Sequence, residues 1–216
     1  MEYRYLSNVQ IIINVKVEII IDIQDLIEHP APSAGRIIRG IYPYQPSSGG
    51  SKIPDHIMRN AQNRGTWVHE SIESEINTGS YEGNWEWESY MEAFHAFNDD
   101  HNPKYLASEL CVVAPDGRSK GIIDAIAEID GEIVLIDFKT SASTDHARFE
   151  LQLSVYAHIL SQMEDYETPE RLHIVKLGKT GKYKLLHYTY DEVITESAIN
   201  LYHYLVEKGA IKTKGA

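Results

Sequence analysis

Two hydrophobic periods divide this chain into predicted strands and helices. Residues 10–23 alternate between an apolar side, which is entirely β-branched, and a mostly polar side. A period of two residues with this composition predicts a long half-buried strand, or two strands around a bend. A loop rich in Pro, Ser and Gly follows from His29 to Ser51. It contains a short predicted helix at Ala34–Gly40, with Ser33 as its N-cap.

Four later segments have apolar residues at helical spacing. In the longest of them, Pro54 suits the first turn and Gly79 suits the C-terminal stop. Gly65 lies on the apolar stripe of the same helix, which predicts that another backbone approaches closely there. The predicted helices cover residues 54–77, 85–97, 145–163 and 191–207.

Five segments between these helices have the composition and period of strands: 105–113, 120–129, 132–139, 171–177 and 183–190. The resulting order of elements predicts an α/β fold of the mixed α+β kind, with a central mixed β-sheet flanked by helices. We expect a β extension over residues 1–28 and one main domain over residues 29–216.

Composition narrows the class of protein further. A length of 216 residues fits one domain, and Cys111 is the lone cysteine. The chain therefore lacks the thiols for an internal disulfide or a four-cysteine iron–sulfur cluster. No export signal or membrane-spanning segment is evident, so we expect a cytoplasmic protein that does not contact the membrane.

The formal net charge of −12 argues against a nonspecific nucleic-acid coat, because phosphate contacts need Lys and Arg. Net charge does not describe local patches, however, and some of the acidic residues can serve to bind a metal ion.

Two predicted turns place three acidic residues in one row. If Asp130-Gly131 forms a two-residue hairpin loop, Asp124 lies opposite Asp137. If Asp116-Gly117 forms another, Glu109 lies opposite Asp124. Lys139 shares the face of Asp137, because side chains two residues apart on a strand point the same way.

A row of opposed carboxylates destabilises a sheet, so its presence needs a reason. A bound divalent cation is the simplest one, and carboxylate oxygens suit Mg²⁺ or Mn²⁺. The alternative is a solvated sheet face, although the residues before both aspartates, Ile122-Ile123 and Leu135-Ile136, are apolar. Metal-binding carboxylates beside a lysine are groups that phosphodiester hydrolysis can use.

Four motifs, in order along the chain, resemble those of the PD-(D/E)xK nucleases. The subgroup they resemble is that of the RecB-type and phage exonucleases, with the relatives of lambda exonuclease and of the mitochondrial genome maintenance exonuclease. The motifs are Arg64-Gly65-Thr66-Trp67-Val68-His69, Gly121-Ile122-Ile123-Asp124, Asp137-Phe138-Lys139-Thr140 and Gln152-Leu153-Ser154-Val155-Tyr156.

The resemblance implies a restriction-endonuclease-like core and a Mg²⁺-dependent DNA nuclease, with Mn²⁺ as a substitute. It favours an exonuclease of recombination, repair or phage replication, encoded by a bacterium or a phage. The implied catalytic residues are Asp124, Asp137 and Lys139. The implied metal ligands are His69, Glu109, Asp124, Asp137 and the carbonyl of Phe138. Gln152 and Tyr156 match a helix motif that adjoins the site and contacts substrate.

Other interpretations stay open at this point. An endonuclease or flap-cutting enzyme would use the same chemistry, and a non-catalytic DNA-binding protein could keep the same fold. His69, taken without the resemblance, has the pattern of a packed or exposed helix residue. DNA is the expected partner, and a recombination or replication protein is a further candidate. The strand at 10–23 could also pair with a second chain and form an oligomer.

Overall fold

The computed structural model describes residues 21–43, 54–142, 144–163, 166–169 and 171–212. Within these ranges the helices are α1 (Ile23–Glu28), α2 (Ala34–Ile41), α3 (Asp55–Thr78), α4 (Glu88–His101), α5 (His146–Ser161) and α6 (Glu192–Glu207). The strands are β1 (Lys104–Val113), β2 (Lys120–Ile129), β3 (Glu132–Lys139), β4 (Arg171–Leu177) and β5 (Tyr183–Thr189).

The strands form one mixed sheet in the order β1-β2-β3-β4-β5. All neighbouring strands are antiparallel except β3 and β4, which are parallel and joined through α5. Strands β1, β3 and β4 therefore point the same way. The edge of the sheet where these three strands finish is called here the carboxyl end of the sheet. The predicted mixed sheet flanked by helices is confirmed.

Helices cover both faces of the sheet, as the alternation of β3 requires. Val134, Ile136 and Phe138 face the core shared with α3 and α4. Leu135 faces the other core, where α2, α5 and α6 pack. Strand β3 therefore buries both of its faces, and that explains its nearly continuous apolar run.

The predicted N-terminal strand is wrong over residues 21–23, none of which lies in a strand, and residues 10–20 lie outside the described ranges. Ile23 begins helix α1, because the Asp22 side chain accepts a hydrogen bond from the Gln24 N–H and caps the first turn. Leu26 of this helix is buried in a small cluster with Cys111 and Val113 of β1. Helix α1 thus covers part of the sheet near its carboxyl end.

The two predicted hairpin turns had different outcomes. Asp130 and Gly131 form the expected two-residue loop with positive φ angles of 54° and 80°. The β1–β2 loop is longer than predicted, because the ladder ends at Val113 and Lys120. The register is nevertheless the predicted one, since the loop is extended equally on both strands.

Helix α3 corrects one further prediction. A Cβ atom built on Gly65 would meet only the Thr140 Oγ1 atom, at 3.9 Å, so no backbone approaches closely at that position. In α2, Ser33 is the N-cap as predicted, and its hydroxyl accepts a hydrogen bond from the Arg36 N–H. Among the helices in the described ranges, none has both the length and the apolarity needed to cross a membrane.

Candidate active site

Glu109 and Asp124 face each other at an irregular point of the β1–β2 pair. The flanking pairs are Ser108 with Ala125 and Leu110 with Ile123. This is the register predicted from the turns. Glu109 has a φ of 45°, in the left-handed region that costs a residue with a side chain about 1–2 kcal/mol. The strain indicates that the surrounding structure holds this carboxylate in a set place.

The alternation of side chains breaks at the same two residues. Ala107 and Leu110 lie three residues apart on β1, yet both pack into the core under α5. Ile126 and Ile123 on β2 do the same. Side chains three apart on a regular strand point to opposite faces. Glu109 and Asp124 therefore occupy the residue in each strand that falls out of the regular pattern.

Asp124 lies where β2 and β3 separate. The ladder between the two strands ends at Ala125 and Ile136. One residue further, the Asp124 Oδ2 atom accepts a hydrogen bond of 2.8 Å from the Phe138 N–H. The register, continued by one residue, places Asp124 opposite Asp137 as predicted. A carboxylate takes the position of a main-chain acceptor here and is held at the fork between the strands.

His69 reaches this point from helix α3. Its Nδ1 atom lies 3.4 Å from Glu109 Oε1 and 3.5 Å from Asp124 Oδ2. One ligand atom from each of the three residues lies within 4.8 Å of the others. Helix α3 and strands β1 and β2 thus bring three of the predicted metal ligands to one place.

Asp137 lies in the same site but makes its close contacts with other groups. The carboxylate is 1% exposed, with Lys139 Nζ at 2.6 Å from Oδ2 and Gln152 Nε2 donating to Oδ1 at 3.0 Å. It is not part of the compact trio formed by His69, Glu109 and Asp124. Within the described ranges, no donor reaches its Oδ2 atom in hydrogen-bonding geometry, despite the short distance to the ammonium group.

Gln152 and Tyr156 support Asp137 from helix α5. The Gln152 Nε2 group also donates to the Tyr156 hydroxyl at 3.2 Å. The Tyr156 ring packs closely against β2 at Gly121, where an added Cβ atom would lie 2.3 Å from a ring carbon. Tyr156 is only 7% exposed. The structure places both residues behind Asp137, and their contact with substrate stays a prediction.

The charges of the site act strongly on one another. Burial, followed by the neighbouring charge of Asp137, raises the pKa of Asp124 to about 7. Burial alone would lower the pKa of His69, but Asp124, Glu109 and Asp137 outweigh it and raise that pKa to about 9. In Lys139, burial is likewise outweighed by the two aspartates, so its pKa lies above the usual value. The carboxylates therefore favour any added positive charge.

An open pocket of about 340 Å³ leads to this site from the side of α3. Asp137 and Lys139 do not line it. Burial and the negative charges of Glu109 and Glu70 raise the pKa of Glu73 on its wall. The pocket is lined by Gly65, Thr66, His69, Glu70, Glu73 and Glu109.

The donor set fits a divalent cation. Two carboxylates and an imidazole already lie close together, and Asp137 adds a buried oxygen without an aligned donor. Carboxylate-rich sets of this kind suit Mg²⁺ and Mn²⁺, and the imidazole nitrogen is acceptable to Mn²⁺. The Phe138 N–H is used by Asp124, and the role of its carbonyl as a ligand stays a prediction.

Two contacts around Lys139 had no counterpart in the sequence analysis. Arg64 Nη2 donates to the carbonyl of Thr140 at 3.3 Å, and its guanidinium lies 5.1 Å from the centre of the Tyr90 ring. Lys176 Nζ donates to Thr144 Oγ1 at 2.6 Å, in the segment that follows β3. Arg64 stood in a quoted motif, but nothing in its spacing indicated a partner 76 residues away.

Comparison with known families identifies the superfamily of this chain. A family model described as the PD-(D/E)XK nuclease superfamily matches residues 82–208, which is more than half of the chain. The chain belongs to the PD-(D/E)XK nuclease superfamily. The match contains Glu109, Asp124, Asp137 and Lys139. It begins after His69, whose place in the site rests on its contacts with Glu109 and Asp124.

Several solved structures are similar to this chain at low sequence identity. An alkaline exonuclease from Laribacter hongkongensis is 11% identical, with a TM-score of 0.42 over 87% of this chain and 98% of that one. A protein assigned as an exonuclease from Eubacterium rectale is 14% identical, with a TM-score of 0.45 over 83% of this chain and 78% of that one. The protein SSO0001 is 18% identical, with a TM-score of 0.36 over 54% of this chain and 57% of that one. No curated protein matches the chain.

Proposed function

We propose that this chain is a Mg²⁺-dependent DNA nuclease that hydrolyses phosphodiester bonds, acting as an exonuclease in recombination, repair or phage replication. The observation that carries the proposal is the convergence of Asp124, Glu109 and His69 beside the Asp137–Lys139 pair. Membership of the superfamily supports the reaction class. The resemblance of the Gly65-Thr66-x-x-His69 helix to RecB-type exonucleases supports the preference for free DNA ends.

His69, Glu109, Asp124 and Asp137 would hold the metal. Bound there, it would supply positive charge for the scissile phosphate and lower the pKa of water, and these are the roles of divalent ions in phosphodiester hydrolysis. The carboxylates of Asp124 and Asp137 are held before any metal arrives, one by the Phe138 N–H and the other by Gln152. A site held in this way needs little rearrangement to accept the ion.

Lys139 contributes a positive charge that the protein itself provides. Asp137 and Asp124 keep its ammonium group protonated, so it acts as a hydrogen-bond donor and not as a base. A donor of this kind can orient the attacking water and stabilise the negative charge that develops on the phosphate oxygens. Arg64 holds the main chain at Thr140, the next residue, and so restrains the position of this lysine.

A cleavage assay tests the proposal and separates exonuclease from endonuclease. End-labelled linear DNA and closed circular DNA are incubated with the wild type in Mg²⁺, Mn²⁺ or EDTA. We expect metal-dependent loss of linear DNA, sparing of the circles, and no cleavage by Asp137→Asn. Cutting of the circles would favour an endonuclease. Absence of cleavage with every metal would favour a DNA-binding protein on a nuclease fold.

A matched variant controls for the change in charge. Asp130→Asn makes the same substitution in the β2–β3 turn, at the opposite end of the sheet, where Asn tolerates the positive φ of this position. It should cleave DNA like the wild type. Equal loss in both variants would show that net charge, and not the site, controls activity.

A further inference from the structure

A short segment of this acidic chain is strongly basic. Residues 176–184 contain four lysines and no acidic residue, whereas the whole chain has a formal net charge of −12. This segment is called here the lysine hairpin, and its basic residues are Lys176, Lys179, Lys182 and Lys184. Its charge lies outside the metal-binding trio, and only Lys176, through its contact with Thr144, takes part in the surroundings of the site described above.

The lysine hairpin lies at the carboxyl end of the sheet, beside the active site. It joins β4 to β5, and β4 runs parallel to β3, which carries Asp137 and Lys139. The register places Lys139 next to Lys176, and Lys176 next to Lys184. Three lysines on adjacent strands therefore form one row that leads from the active site to the edge of the sheet. Two strand spacings separate its ends, which is about 10 Å.

The tip of the lysine hairpin is narrow and presents its charges to solvent. Gly178 N–H donates to the Lys182 carbonyl at 2.9 Å, and a Cβ atom on Gly178 would lie 2.6 Å from that oxygen. Gly181 has a φ of 70°, which glycine adopts without strain. Lys179, Lys182 and Lys184 are all exposed, and no carboxylate in the described ranges forms an ion pair with them.

Lys176 connects this row to the segment after Lys139. Its Nζ atom donates to the carbonyl of Ala142 at 3.0 Å and to Thr144 Oγ1 at 2.6 Å. Burial, followed by the positive charge of Lys184, lowers the pKa of Lys176, so the two ammonium groups act on each other. Positive charges on neighbouring strands repel one another, and a polyanion relieves that repulsion.

We propose that the lysine hairpin binds the phosphate backbone of the DNA substrate next to the cleavage site. The proposal rests on the proposed nuclease function and names the surface that holds its substrate. The lysine row extends from the active site in one direction, as the successive phosphates of one DNA strand do. Lys139 then meets the phosphate at the cleavage site while Lys179, Lys182 and Lys184 meet phosphates a few nucleotides away.

A binding experiment without cleavage tests this directly. Fluorescently labelled DNA is titrated with protein in Ca²⁺ and in EDTA, at several salt concentrations. The variant is the double substitution Lys179→Gln/Lys182→Gln. Its control is Lys104→Gln/Arg171→Gln, which removes the same charge at the first residues of β1 and β4, the opposite end of the sheet. The surface ion pairs lost in the control contribute little to stability.

We expect the hairpin variant to bind DNA at least about tenfold more weakly at 0.1 M salt, with the slope of log K against log salt smaller by about 2. The control should bind like the wild type. Equal affinity of the hairpin variant and the wild type would overturn the proposal, as would equal weakening by the control. Because binding is measured without turnover, a protein that binds through the hairpin but cleaves nothing would overturn only the nuclease function.

Discussion

At the carboxyl end of the sheet, strands β1 to β3 gather carboxylates, whereas strands β4 and β5 gather lysines. The backbone differs between these two sides as much as the charge does. On the acidic side, Glu109 has a left-handed conformation and Asp124 leaves the ladder to accept the Phe138 N–H. On the basic side, Lys176 and Lys184 are partners in an unbroken ladder.

The difference reflects the shapes of the two ligands that we propose. A metal ion is a point, so its ligands must leave the regular spacing of a sheet to meet around it. A nucleic-acid strand is extended, and lysines about 5 Å apart on successive strands already suit it. The net charge of the chain conceals this division, because it sums two opposite patches.

The largest expected effect on activity comes from replacing one lysine on each side of the sheet. The two substitutions should separate the role of the acidic side from that of the basic side. Lys139→Met should lower kcat by about 10²–10³-fold, because a charge beside the reacting phosphate is lost. Lys176→Met should act mainly on KM, since it removes one positive charge from the lysine row and loosens the segment at Ala142. Steady-state kinetics on linear DNA measures both. Equal losses of kcat would show that the two sides do not differ in function.

A substitution at Gly121 should disturb the residues of α5 that hold Asp137 on the acidic side. Gly121→Ala places a Cβ atom 2.3 Å from the Tyr156 ring, which should lower the free energy of unfolding by about 1–3 kcal/mol. Activity should fall too, because Tyr156 meets Gln152 and Gln152 holds Asp137.

Gly35→Ala is the matched control for this change. Gly35 lies in α2 with no atom within 4 Å of an added Cβ, so alanine should be neutral or stabilise by about 0.5–1 kcal/mol. Urea unfolding of both variants makes the comparison. A stable Gly121→Ala variant with full activity would show that Tyr156 does not support the active site.

Strand β4, on the basic side of the sheet, contains a buried histidine, His173. This residue should make the stability of the folded protein fall in acid. Burial, followed by the charges of His187 and Arg171, lowers the pKa of His173 to about 4 from an ordinary 6.5. Protonation therefore favours the unfolded chain. The stabilisation is complete above pH 6.5 and is lost as the pH falls from 6.5 to about 4.

Urea titrations at pH 7 and pH 5 measure this loss, which should be about 2 kcal/mol for His173 alone. His173→Leu fills a similar volume in the core and removes the titrating group, so the variant should lose less stability between the two pH values. An unchanged pH profile in the variant would place the acid sensitivity elsewhere.

The smallest expected effect concerns the strained backbone at Glu109. Glycine relieves a φ of 45° while alanine keeps the strain, and both remove the carboxylate. Glu109→Gly should therefore be more stable than Glu109→Ala by about 1 kcal/mol. Both should lose metal affinity. Thermal unfolding without metal distinguishes them, and equal stability would mean that the irregularity at β1 carries no strain.

Local patterns predicted the sheet well because they act over short distances. The Asp130-Gly131 turn set the β2–β3 register, and the same counting across β1 and β2 placed Glu109 opposite Asp124. The β1–β2 register is the predicted one despite the longer loop, because β1 ends and β2 begins at equal distances from the predicted Asp116-Gly117 loop. Helix α1 was missed because its short sequence continues the apolar run of residues 10–23.

The features that bring these charged residues together in one site arise from tertiary packing. The periodicity of the sequence therefore does not predict them. The left-handed φ of Glu109 occurs at a residue that is not glycine, so composition gave no signal. The lysine row depends on the parallel pairing of β3 with β4, whose register no turn determines. Arg64 meets Thr140 only after the helix packs on the sheet.

The most direct test of the acidic side is metal binding itself, measured by calorimetric titration of Mn²⁺ into metal-free protein. The comparison uses the wild type, Asp124→Asn and the hairpin variant Lys179→Gln/Lys182→Gln. Asparagine keeps an acceptor for the Phe138 N–H, so the fold of the fork is preserved. We predict Mn²⁺ binding in the wild type and the hairpin variant, with affinity at least about tenfold lower in Asp124→Asn. Unchanged affinity in Asp124→Asn, or no binding in the wild type, would contradict a metal site at the fork of β2 and β3.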